Sequence, residues 1–209
     1  YAMIHLADHV RDIENDHVEA ERLYLRGLEL MRRAYGEYST HLAHGLHSLS
    51  WMYSHEGRHE EAERIARRML AIRESATGPD HPNVAAEWDV LAGVLQRAGK
   101  LDEAETLSRR AVEHWKRTMG PRHPAVSGSL GGLARVYADQ GRFAEAEAAY
   151  DTILSINMEG GRRTPHVAQN YRSLGRILIR AGRFADAERA LLESLDIMRD
   201  VYRDQGHPN

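Results

Sequence analysis

The 209-residue chain predicts an all-α solenoid of about five helix–turn–helix units. Three observations predict it. The glycines Gly57, Gly99, Gly141 and Gly182 recur at steps of 42, 42 and 41 residues, opening the phrases GRHEEAE, GKLDEAE, GRFAEAE and GRFADAE. The alanines Ala20, Ala62, Ala104, Ala146 and Ala187 keep the same step, so a more degenerate fifth copy lies at the N-terminus. Apolar residues also fall at helical spacing on both sides of each glycine. Val126, Leu130, Leu133, Ala134 and Tyr137 form one face before Gly141, and Phe143, Ala146, Tyr150, Ile153 and Leu154 form another after it.

The copies fall at about 1–38, 39–80, 81–122, 123–163 and 164–206 of a single array, with 207–209 opening a further repeat at His207-Pro208. In three of them helix A starts at a proline (Pro82, Pro124, Pro165), where a missing N–H costs nothing. His81 and His123 precede two of these prolines and read as structural loop residues. The glycine then reverses the chain, since it accepts a left-handed backbone without steric cost. Helix B opens on Glu61, Glu103, Glu145 or Asp186, where the helix dipole favours negative charge by about 0.3–1 kcal/mol. Small alanines mark the crossing of the two helices. Leu49, Leu91, Leu133 and Leu174 are expected to fill one interior column, and Leu70, Val112, Leu154 and Leu195 another. In the first copy Met3, Leu6, Val10 and Ile13 read as an apolar stripe shifted by one position. One helix pair cannot bury its apolar face alone, so the copies are expected to stack, with the A helices lining a concave wall.

The residues Leu130, Leu133, Ala134, Val136, Tyr137, Gln140, Gly141, Phe143, Glu145, Ala146, Glu147 and Tyr150 together resemble a tetratricopeptide repeat, with Leu46, Trp88 and Tyr171 at its bulky early position. The 42-residue period and HPNVA at 81–85 are similar to the kinesin-light-chain subtype. The resemblance implies a right-handed superhelix that binds proteins. That subtype places asparagines in mid-helix A to hold a cargo peptide. Here those spots carry His47-Ser48, Asp89-Val90, Gly131-Gly132 and Arg172-Ser173, so its cargo binding does not carry over.

Composition removes several other classes. There is no cysteine, hence no disulfide framework, thiolate zinc site or cysteine nucleophile. No apolar run approaches the ~20 residues of a membrane span, and a net charge of −3 gives no general attraction to nucleic acid or anionic lipid. A cytoplasmic, non-catalytic protein without cofactor is expected, because no phosphate loop, HExxH or GxSxG motif occurs and Asp89 and Asp139 show no evident partner.

If the recurring phrase is scaffold, recognition falls to the columns that vary. The candidate groove residues are His44, His47 and Trp51, then Asp89, Gln96 and Arg97, then Arg135, and last Gln169, Arg172, Arg176 and Arg180. Between Gly161 and Arg183 lie six arginines (with Arg162, Arg163 and Arg183) and no acidic residue. Arg172, Arg176 and Arg180 share one helix face, and like charges so stacked are unfavourable without an anion. They point to an acidic or phosphorylated peptide, or a partner helix. A solvated face whose arginine stems cover apolar surface is the bland alternative. Gly131 and Gly132 cost a helix roughly 1 kcal/mol each and imply close approach by a ligand or a neighbouring helix. His41, His44 and His47 drift around their helix and do not converge, so no metal site is expected there. The orientation of the His5 and His9 pair is open. Reading RNA by a helical-repeat code is a second possibility. A self-associating segment of a larger bacterial regulator, joined head to tail, is a third.

Overall fold

The computed structural model describes residues 2–161 and 163–204, so Arg162 and the expected repeat start at 207–209 lie outside the described residues. The helices are α1 (Ala2–His9, continued by a π-helical turn Val10–Glu14), α2 (His17–Tyr35), α3 (Ala43–His55, after a 3-10 turn Thr40–Leu42), α4 (His59–Thr77) and α5 (Pro82–Arg97). There follow α6 (Leu101–Met119), α7 (Pro124–Asp139), α8 (Phe143–Asn157), α9 (Pro165–Arg180) and α10 (Phe184–Asp204). No strand occurs among the described residues.

Each boundary has a local cause. Pro82, Pro124 and Pro165 begin α5, α7 and α9. His81 and His123 cap theirs, each ring Nδ1 accepting the N–H two residues on (3.1 and 3.2 Å), while Thr164 accepts from the Val167 N–H at 3.3 Å. Gly57, Gly99, Gly141 and Gly182 turn the chain at φ of 75–77°. The N–H after each glycine returns to the carbonyl five residues back, as Arg142 does to Tyr137 at 2.8 Å. A second glycine series, Gly36, Gly78, Gly120 and Gly161, has positive φ in the loops from helix B to the next helix A.

The chain divides into two compact units, Tyr1–Leu107 and Ser108–Asn209. In the first, α1 packs on α2, α2 on α3, α3 on α4 and α4 on α5, and α3 also touches both α1 and α5. In the second, α7 packs on α8, α8 on α9 and α9 on α10. The alanine column is buried throughout, and so are Leu49, Leu91, Leu133 and Leu174. Facing it, helix A carries Ser50, Ala92, Ala134 and Gly175, all buried. The Ser50 hydroxyl donates to the Ala62 carbonyl at 3.0 Å, and a Cβ on Gly175 would come within 2.8 Å of Leu191. Small residues on both sides therefore set the crossing distance of each pair.

Two expectations are corrected. The first copy is in register with the others, because Ile4, Ala7 and Val10 are its buried residues, 42 positions before Leu46, Leu49 and Met52. Leu6 and Ile13 are exposed and Met3 is half-buried. In the second interior column Val112 and Leu154 are buried, but Leu70 is half-buried and Leu195 is exposed. α10 meets α9 through Ala187, Ala190 and Ser194, and no described element covers the face that carries Leu192 and Leu195. Ser54 and Ala138, at the inner edge of the candidate groove face, are buried.

The second glutamate of the recurring phrase also has a structural cause that its spacing alone does not show. The cation that follows three of the four turn glycines reaches back one repeat to it. Arg58 bonds Glu21 (2.7 and 3.1 Å), Lys100 bonds Glu63 (2.7 Å), and Arg183 bonds Glu147. Arg58 and Arg183 also hold the acidic residue three positions on, Glu61 and Asp186. The ion pair with Arg58, aided by the Tyr53 hydroxyl, holds the Glu21 carboxyl below the usual range despite partial burial.

Candidate functional site

In the second unit the candidate residues lie on α7 and α9. Arg180 does not serve as a free cation. Its guanidinium donates to Asp139 Oδ1 and to the Ala138 carbonyl, both at 2.8 Å, tying the end of α9 to the end of α7. Arg163 pairs with Glu193 and Asp200, and Arg183 with Glu147 and Asp186. Acidic residues from neighbouring helices thus neutralise three of the six arginines, although none occurs in the local sequence. Asp139, expected without a partner, is the anchor for Arg180.

What remains is narrower. Arg172, Arg176 and Arg135 are exposed and make no ion pair among the described residues. Arg172 donates only to the neutral Gln169 side chain, so its charge is not compensated. Arg135 and Arg176 hold equivalent positions one turn before Asp139 and Arg180, and the contact between those two brings the helix ends together. The glycines of α7 lie on the same face. A Cβ on Gly128 would meet nothing within 4 Å, and one on Gly131 would touch only Ile153 Cδ1 at 4.0 Å. No neighbouring helix therefore requires Gly128 or Gly131. The second unit offers an open glycine strip edged by three uncompensated arginines.

In the first unit the candidates split differently. Arg97 donates to the buried Ser54 hydroxyl at 3.2 Å, a tie between consecutive A helices like that of Arg180. Asp89 and Gln96 are half-buried and each is engaged by a neighbouring group, which corrects the expectation for Asp89. Trp51 lies between two cationic or polar neighbours, with the Arg11 guanidinium 5.0 Å from its ring and the His55 ring centroid at 3.9 Å. His47 is exposed. His44 points its Nε2 at Asp8 Oδ2 (3.1 Å), and His5 Nδ1 lies 3.9 Å from the same oxygen. Burial disfavours ionised Asp8, but hydrogen bonds from Tyr24, Ser48 and His44 outweigh it and hold the carboxyl below its ordinary range. His5 therefore faces α3, whereas His9 lies 3.9 Å from Glu14.

The architecture is that of an α-helical repeat protein, with consecutive antiparallel pairs sharing one set of turn and crossing residues. The tetratricopeptide repeat family model matches residues 2–75, 83–159 and 127–200, and the chain belongs to that family. Tetratricopeptide repeats are in general non-catalytic scaffolds that bind other proteins. Among solved structures, a Podosopora anserina kinesin-light-chain protein with nearly identical TPR-like repeats aligns with a TM-score of 0.77 and 22% identity, over 97% of this chain and 96% of that one. A point variant of the same protein aligns at 0.80. BtubC from P. vanneervenii aligns at 0.74 with 23% identity, over 99% and 82%. MamA aligns at 0.58 with 17% identity, over 94% and 96%. At these identities the likeness is one of fold. No curated protein matches the chain in sequence. Among the described residues, no helix is long and apolar enough to cross a membrane.

Proposed function

We propose that the chain is a protein-interaction module whose second unit takes an acidic or phosphorylated peptide along α7 and α9. The observation that supports this most directly is the set of three arginines, Arg135, Arg172 and Arg176, left exposed without an ion pair while their neighbours are neutralised. A guanidinium offers a planar fork that matches carboxylate and phosphate, and two such groups one helical turn apart repel until an anion lies between them. The open strip at Gly128 and Gly131 would let a peptide backbone approach α7 without meeting a side chain. The repeat boundaries at about 1–38, 39–80, 81–122, 123–163 and 164–206 are part of the same reading, each unit being one A/B pair.

Fluorescence anisotropy with labelled peptides tests it. A glutamate-rich or phosphoserine peptide should bind with an affinity that falls as salt rises, and a lysine-rich peptide of equal length should not bind. Equal binding of both peptides, or a preference for single-stranded RNA with a steep salt slope, would refute the reading.

A further inference from the structure

We infer that His5, Asp8 and His44 form a binding site for a borderline divalent metal ion of the zinc type. The inference is independent of the proposed peptide site, which lies in the other unit. The three ligand atoms, two imidazole nitrogens and one carboxylate oxygen, all lie within 4.8 Å of one another. His44 Nε2 is 3.1 Å and His5 Nδ1 3.9 Å from Asp8 Oδ2. Ligand bonds of about 2.0–2.2 Å in tetrahedral geometry place such atoms roughly 3.3–3.5 Å apart, so side-chain adjustments of up to about 1.5 Å would close the set. Both imidazoles are free to make them, with side chains 68% and 51% exposed.

The carboxylate is positioned rather than loose. The Tyr24 hydroxyl, on a fully buried ring, donates to Asp8 Oδ1 at 2.6 Å and leaves Oδ2 facing the two histidines. Such an outer contact orients a metal ligand and raises its affinity. In the apo protein the His44 Nε2 proton occupies the space between ring and carboxylate. Metal binding would move that proton to Nδ1 in the neutral tautomer and put the ion in its place. Arg11 Nη1, 3.4 Å from Asp8 Oδ1, opposes the ion electrostatically, but its guanidinium is directed mainly at Asp12 and the Tyr24 oxygen. Two imidazoles and one carboxylate suit zinc, cobalt or nickel over magnesium or calcium, and three protein ligands leave a coordination position open.

The test is calorimetric titration of the metal-stripped full chain with Zn²⁺ near neutral pH, repeated with Co²⁺ to read its visible absorption. One ion per chain should bind, with cobalt bands of tetrahedral intensity. His5→Ala and His44→Ala should each weaken binding by about tenfold or more, while His9→Ala and His55→Ala, nearby histidines outside the set, leave it unchanged. His5 is exposed, so loss of binding in His5→Ala with an unchanged melting temperature excludes misfolding as the cause. Zn²⁺ should raise the melting temperature of the wild type but not of His5→Ala. Absence of heat, binding retained in His5→Ala, or equal loss in the His9→Ala control would overturn the assignment.

Discussion

Replacing Glu21 by Gln tests whether the cation–glutamate ties hold consecutive repeats together. Glu21 accepts two bonds from Arg58 and one from the Tyr53 hydroxyl at 2.6 Å, with its side chain 26% exposed and that of Arg58 35% exposed. Glutamine keeps the shape and one acceptor but removes the charge. A charge-assisted bond is worth roughly 1.5–3 kcal/mol, and partial exposure reduces it, so a loss of about 1–2 kcal/mol near neutral pH is expected. Urea unfolding at a series of pH values reads it, with the midpoint moving and the slope unchanged. The sign follows from linkage. The folded carboxyl titrates below the ordinary ~4.3, so the stability is fully present above that value and lost as pH falls through the folded pKa. Wild type and Glu21→Gln should therefore converge in acid. The difference between them is the measured quantity, since other carboxylates titrate in both. A gap that does not narrow as the pH falls below the ordinary carboxylate range would show that shape, not charge, makes the tie.

Other consequences can be read on the same instruments. Gly131→Ala meets no neighbour closer than 4.0 Å and should stabilise the fold by about 0.5–1 kcal/mol, whereas Gly45→Ala brings a Cβ to 2.8 Å from Ile4 Cδ1 and 2.9 Å from Leu28 Cδ2 and should destabilise it by about 1–3 kcal/mol. Gly99→Ala meets no atom within 4 Å, yet at a φ of 76° it should cost about 1–2 kcal/mol through the backbone alone. Trp88→Ala empties a position only 2% exposed and should cost about 3–5 kcal/mol.

The helix pairs are legible in the sequence because each recurring residue answers to chemistry a few positions away. A proline starts a helix, a glycine turns it, an alanine lets its neighbour approach. What is not legible depends on the next repeat. Glu21 and Arg58 are 37 positions apart, and their pairing becomes visible only when the period is applied to both columns together. The arginine-rich stretch reads as wholly uncompensated because Asp139, Glu147, Glu193 and Asp200, which neutralise Arg180, Arg183 and Arg163, lie on other helices. The first copy reads one position out of register because Leu6 and Ile13 are more conspicuous than Ile4 and Ala7. Burial follows position in the repeat, not hydrophobicity alone. His5, Asp8 and His44 match no motif spacing, since α1 and α3 bring them together from different repeats.

The central claim is that the repeating positions build the scaffold and the non-repeating face of helix A recognises the partner. The most direct measurement compares two charge-matched variants in the same peptide titration. Arg172→Glu with Arg176→Glu reverses the uncompensated pair on α9. Arg189→Glu with Arg199→Glu makes an equal change of charge at exposed positions of α10. Capture of the acidic peptide should be lost in the α9 variant and kept in the α10 variant, with both melting near the wild type. Equal loss in the two would reduce the effect to overall charge, and capture retained by the α9 variant would contradict the claim.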